Sequence, residues 1–260
     1  MSFQLDRKHV EEAFSSYVSD YDASDSKVRL KILHTFRVAQ MCDAISGSLG
    51  LNAEDTDIAW LCGMLHDIGR FEQLRRYGTF FDKRSINHAA LSADLLFKDG
   101  LIRSFITDSS EDALIEKAIR LHNVFLLPEK LTERETLFCN ILRDADKVDI
   151  LRVNRETPMT EIYDLPEEAF YTSGISDAVF ADAMRMENVN RENSRTAIDY
   201  LVGHICFVFG LVYPESVRQA AAQGYLDEML AFQSKNPAAR ERFRRIRETV
   251  TEYMERRLRE

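Results

Sequence analysis

Glycine and proline are scarce in this chain, at ten and five of 260 residues. Sharp breaks are therefore few, which excludes a turn-rich architecture and suits long helices joined by short loops. Period-two alternation flanked by turn pairs, the mark of hairpins, is missing as well; apolar residues recur at three- and four-residue steps instead. The four cysteines, Cys42, Cys62, Cys139 and Cys206, form no CxxC and sit in apolar stretches. They read as reduced core residues, and the expected compartment is cytoplasmic. An excess of positive charge is absent too: the formal net charge is -9, so broad attraction to nucleic acid or to an anionic membrane is not expected. The opening MSFQLDRKHVEEAF has no apolar run of the kind that follows the basic start of a secretory signal. The most apolar stretch, IDYLVGHICFVFGLVY at 198–213, is short for a span and carries Asp199 and His204. It reads as a buried helix, with His204 a core histidine bonded to a neighbour.

Against these absences stands one concentration. Four of the six histidines fall into an ordered set with two aspartates: His34, the adjacent pair His66 and Asp67, then His88, His122 and Asp146. Histidine nitrogens and carboxylate oxygens together are suited to one or two divalent transition ions, with Mn, Fe, Co, Ni and Zn all compatible.

The periodicity places these residues on helices and predicts an all-α fold. A first helix is expected over about 6–17, and a second, carrying His34, over about 28–49 after the start signals in YDASDSKV. A third starts near Asn52 and runs into His66 and Asp67, with Gly69 expected as its exit and RFEQLRRYGTFFDKRS as a polar, aromatic loop. His88 falls near the start of a further helix, His122 near the end of one over about 112–123, and Asp146 inside one over about 132–152. Residues 1–156 are expected to form the metal-binding helical core, and 157–260 a helical extension packed on it. The last helix, after Asn236 and Pro237, alternates Arg and Glu and should show a solvated face with one apolar stripe; it could pair two copies into a homodimer.

Four residues, His34, His66, Asp67 and Asp146, would hold one ion with open positions, and His88 and His122 add enough for a second. Asp67, with two oxygens, is the natural bridge and the centre of the chemistry, since a pair of ions about 3.5–4 Å apart can share a carboxylate and activate a water. Asp149 lies one turn from Asp146 on the same helix face and is expected to support it; Asp144 points away. A phosphate substrate would need cations, and Arg70 and Lys83 are the candidates for binding it, with Arg84, next to Lys83, and Arg37, one turn from His34 on the same helix face, as further possibilities. Glu72 is a candidate general acid, and Phe80, Phe81 and Phe125 could wall a nucleotide base.

The segments HTFRVAQ around His34, LHDIGR around His66 and Asp67, and DADKVD around Asp146 resemble the HD superfamily of metal-dependent phosphohydrolases. The resemblance covers about 28–152. It implies an all-helical HD-domain bundle, a metal held by the first His, the HD pair and the distal Asp, and hydrolysis of a phosphoester or related bond. His88 and His122 resemble the extra histidines of the family's dinuclear branch, which includes cyclic-dinucleotide phosphodiesterases of the HD-GYP type. The GYP element is missing, and Arg70 stands where Lys is usual in that type, which argues against a cyclic dinucleotide. The leading expectation is thus a hydrolase of a small, nucleotide-like phosphate ester or anhydride, with no nucleic-acid or membrane partner. Two alternatives stay open: a di-iron oxygenase similar to myo-inositol oxygenase, and a nucleotide sensor without catalysis.

Overall fold

A computed structural model describes residues 3–260 of the chain. Among the described residues there are helices and no strands. The chain divides into two compact units, 1–146 and 147–260.

The first unit contains α1 (Arg7–Val18), α2 (Ser26–Ser48), α3 (Ala53–Leu65), α4 (Ile68–Tyr77), α5 (His88–Ala93), α6 (Asp112–Leu121) and the part of α7 (Glu133–Glu156) up to Asp146. The starts of α1, α2 and α3 are set by Asp6, Asp25 and Asn52, whose side chains accept from the otherwise orphaned amides of His9, Lys27 and Asp55. The core behind these caps is made of fully buried large side chains such as Phe14, Ile58, Leu61, Met64, Leu65, Ile68, Phe71 and Phe138. Burial of each contributes about 1.5–3 kcal/mol. The four cysteines are free thiols and all buried.

Two expectations fail after His66 and Asp67. The stretch following Asp67 is the helix α4 and not a loop, and Gly69 lies in its first turn instead of ending α3. The reason is packing. A Cβ on Gly69 would lie 2.6 Å from the backbone nitrogen of Ser92, so glycine is there to let α4 and α5 touch through their backbones. The amide of Gly69 also donates to Ser92 Oγ at 3.0 Å. Gly78, in the left-handed conformation with φ 69°, is where the helix stops.

The second unit holds the rest of α7 and α8 (Met159–Tyr163), α9 (Glu167–Thr172), α10 (Asp177–Met184), α11 (Ala197–Ile205), α12 (Pro214–Ala222), α13 (Tyr225–Leu230) and α14 (Pro237–Arg257). The apolar stretch at 198–213 is buried at residues such as Ile198, Leu201, Val202, Ile205, Cys206 and Val208 but exposes Val212, and it is not one helix: α11 gives way at Cys206 to a 3-10 turn through Gly210. Its Asp199 is the N3 residue of a capping box with Thr196, and its carboxylate also accepts from the amides of Ser176 and Arg195. His204 Nδ1 lies 2.8 Å from both Tyr163 Oη and Asn154 Nδ2, so it is bonded to neighbours as expected, but the residue is only partly buried. Along α14 the buried residues Ala239, Phe243, Ile246, Val250, Tyr253 and Met254 form the single stripe, with its arginines and glutamates paired on the other face, for example Arg244 with Glu241 and Glu248. No helix among the described residues is long and apolar enough to cross a membrane.

Candidate metal centre

The six residues picked out by their order in the chain come together inside the first unit. His34 lies mid-way along α2, His66 and Asp67 occupy the two-residue junction of α3 and α4, His88 opens α5, His122 caps the C-terminus of α6, and Asp146 is on α7. The four histidines and Asp67 are all at most 4% exposed.

Asp67 organises the group. Its Oδ2 faces His34 Nε2 at 3.7 Å and His66 Nε2 at 3.6 Å, while its Oδ1 faces His88 Nε2 at 3.7 Å and His122 Nε2 at 3.8 Å. Within each imidazole pair the Nε2 atoms approach to 3.4 Å (His34 and His66) and 3.1 Å (His88 and His122). Asp146 Oδ1 joins the first pair, 3.1 Å from His34 Nε2 and 3.8 Å from His66 Nε2. His34, His66 and Asp67, and separately Asp67, His88 and His122, are groups able to hold a metal ion. With bonds of about 2.0–2.2 Å, two ligand atoms on a tetrahedral ion stand about 3.3–3.6 Å apart and on an octahedral one about 3 Å, close to the spacings seen here.

The ring tautomers fit a cation as well. His66 Nδ1 is 2.7 Å from the carbonyl of Gly63, and His122 Nδ1 is 2.7 Å from the carbonyl of Ile119. A carbonyl only accepts, so Nδ1 carries the proton on both rings and Nε2 presents a lone pair. His88 Nδ1 is likewise 2.6 Å from a carboxylate oxygen of Asp82. The Nε2 atoms of His88 and His122 are then two facing acceptors, an arrangement that needs a positive charge between them. Asp67 Oδ1 tells the same story, being buried with no hydrogen-bond partner among the described residues. Such bonds to the far nitrogen are how proteins orient imidazole ligands.

Burial sets the ionisation states. It lowers the His66 pKa to about 4, with Asp67 pulling the other way, and lowers that of His88 to about 3, Arg70 adding to the effect. His122 is shifted down for the same first reason. Burial opposes the charge on Asp67 but is outweighed by Lys31, His66, Arg70 and His88, which hold its carboxyl well below the usual range. Asp146 is likewise held down against burial by His34, His66 and His122. Neutral imidazoles beside ionised carboxylates are the protonation states metal ligation requires. The unfolded chain takes up protons near pH 6.5 while folded His66 and His88 do not, so stability is lost as pH falls from about 6.5 towards 4. Thermal melts of chelator-treated protein should show Tm falling through that window, and a flat Tm between pH 7 and 5 would contradict the assignment.

Of the proposed substrate residues, Arg70 is on α4, with its Nη1 bonded to Gln73 Oε1, the Phe80 carbonyl and Asp82 Oδ1 and its Nε 3.6 Å from Asp67 Oδ1. Lys83 is exposed on the 3-10 turn Asp82–Arg84. Glu72 accepts from Tyr21 Oη and pairs with Arg75 and Arg76; burial works against its charge, but these partners keep it ionised, which does not suit a general acid. Asp149, in the second unit, has its carboxylate 3.5 Å from Arg152 Nε.

Two further residues bear on the site without belonging to any motif. Lys31, one turn before His34 on α2, donates to Asp67 Oδ2 at 2.7 Å. Asp82 couples the groups around it, holding His88 Nδ1 through one oxygen and Arg70 and Gln73 through the other. The one signal for Lys31 was its spacing from His34, which puts both side chains on one face.

No curated protein and no solved structure matches the chain. The family model described as HD domain matches residues 32–151, a segment containing all six of the converging histidines and aspartates. This segment, a little under half of the chain, is similar to HD domains.

Proposed function

We propose that this protein is a phosphohydrolase that uses two divalent ions, one held by His34, His66, Asp67 and Asp146 and the other by Asp67, His88 and His122, to cleave a phosphate ester or anhydride of a small, nucleotide-like molecule. The observation that carries the reading is the double facing of Asp67, with one oxygen toward each pair of imidazoles. The HD domain supports the general class, because its members are generally metal-dependent phosphohydrolases. Bound ions of this kind lower the pKa of water toward neutrality and polarise a phosphoryl oxygen.

The chain's own residues do the rest. Asp82 and the carbonyls of Gly63 and Ile119 hold the rings of His88, His66 and His122 so that each Nε2 points inward. Lys31 and Arg70 bring two cations to Asp67, and both lie 5.6 Å from the centre of the Phe80 ring. The two cations suit the negative charge that the oxygens of a phosphate would gain as the bond breaks, beside an aromatic face that a base could stack on. Lys83, on the turn that follows Phe80 and Phe81, is assigned to the outer part of the substrate.

The test is a panel of phosphomonoesters, phosphodiesters and dinucleoside polyphosphates offered to Mn-loaded protein, with phosphate or nucleotide release measured. Release should depend on the metal, and Lys31→Met should lower kcat/KM by about 10²-fold, the scale for losing one donor to developing charge. If no member of the panel is hydrolysed, the reading is abandoned.

A further inference from the structure

Arg143 carries a buried positive charge that the reaction outlined above does not use. It lies on α7, one turn before Asp146, and is 8% exposed. Its guanidinium is spent on one short stretch of backbone. Nη1 is 2.5 Å from the carbonyl of Val124, 3.2 Å from that of Leu121 and 3.4 Å from that of His122, and Nη2 is 3.2 Å from the carbonyl of Phe125. Leu121 and His122 close α6, at the negative end of its dipole, and Val124 and Phe125 follow in the turn beyond it.

The local bonds there are weak. The amide of His122 reaches the Ile119 carbonyl only at 3.4 Å, and that of Val124 reaches the Leu121 carbonyl at the same 3.4 Å. Beyond them Phe125 and Leu126 are 44% and 75% exposed, so side-chain burial does not hold these two residues in place. The turn that follows His122 is therefore held by the Arg143 fork, the side chain best shaped for several carbonyls at once, together with Asn123 Nδ2, which donates to Asp82 Oδ2 at 3.4 Å and Asn87 Oδ1 at 3.2 Å.

We propose that Arg143 is the positioning residue for His122, and that it governs the affinity for the ion on the Asp67, His88 and His122 side without touching that ion. The proposal rests on the two-ion reading. His34, His66 and Asp146 are held by other contacts, so the first ion should be little affected. His122 Nε2 stands 3.1 Å from His88 Nε2 and 3.8 Å from Asp67 Oδ1, and a drift of half an ångström or so would take it outside the tolerance of about 0.2 Å on a metal–ligand bond.

The experiment titrates full-length, metal-free protein with Mn(II) alone, following heat and the electron paramagnetic resonance spectrum. Wild type should take up two ions and show a coupled Mn–Mn signal. In Arg143→Met the second-ion affinity should fall by about 10–100-fold with the first within about threefold, and the coupled signal should give way to that of an isolated ion. Arg143→Lys, which can reach fewer of the carbonyls, should lie between, and it decides the matter by the same criteria if Arg143→Met does not fold. Equal loss of both ions, or two ions bound at unchanged affinity in the variants, would overturn the role of Arg143 while leaving the two-ion reading intact. A wild-type protein that binds only one ion would overturn both.

Discussion

Asp67→Asn is expected to lower metal-dependent phosphate release by at least about 10³-fold, equivalent to about 4 kcal/mol in the barrier. No other side chain of the centre faces both imidazole pairs through separate oxygens, at 3.6–3.8 Å from four Nε2 atoms. An amide keeps the shape, but it carries no charge, and one of its two ends is a donor that would face two imidazole lone pairs. The substitution also strips Lys31 and Arg70 of the buried carboxylate beside them, so Tm of the metal-free protein should drop as well. Metal content and steady-state kinetics on the same preparation check the claim. Retention of more than a tenth of wild-type activity would show that the carboxylate does not join the two halves.

Gly63→Ala is the second large effect, and it acts through helix spacing. A Cβ at this position would lie 2.6 Å from Ala39 Cα and 2.9 Å from Ala39 N, backbone atoms of α2 that cannot swing aside as a side-chain tip can. Alanine is favoured over glycine inside a helix by about 1 kcal/mol, whereas overpacking of this severity costs about 3 kcal/mol. The net expectation is a loss of about 2 kcal/mol, by the difference of those two figures. Forcing α3 away from α2 also separates His66 from His34, whose Nε2 atoms are 3.4 Å apart, so affinity for the first ion should fall with stability. Denaturant unfolding and Mn(II) titration of the variant measure the two effects. A variant as stable as wild type would mean that the helices have slack at this crossing.

The sequence reveals the helices best where chemistry marks their ends. Asp6, Asp25 and Asn52 are short acceptors before periodic apolar runs, and each caps the helix that follows. It misleads at α4 because that helix is polar and aromatic, with a glycine in its first turn, and glycine serves close approach as readily as it serves a helix exit. In the site, the six histidines and aspartates were legible as an ordered series, and the fold brings them to one place. Lys31, Asp82 and Arg143 were not, since each is an ordinary charged residue whose importance comes from a contact across 36, 6 or about 20 residues of chain. Motif order reports which atoms could meet an ion. It does not report what steadies them.

His66 and His122 share one device, each folding Nδ1 back onto the carbonyl three residues earlier at the end of its own helix. The imidazole stands in for the amide that a further turn would have supplied. This has an evolutionary consequence. Removing the His66 ring would strip the buried Gly63 carbonyl of this bond at a cost of about 1–3 kcal/mol, while removing the His122 ring would leave the Ile119 carbonyl only the long 3.4 Å bond from the amide of His122. A descendant that lost His34 and Asp146 would still be under pressure to keep these two histidines as helix terminators. Among divergent members of such a lineage, His66 and His122 would outlast the others, and His34 and Asp146 would be the better guide to which proteins still hold a metal.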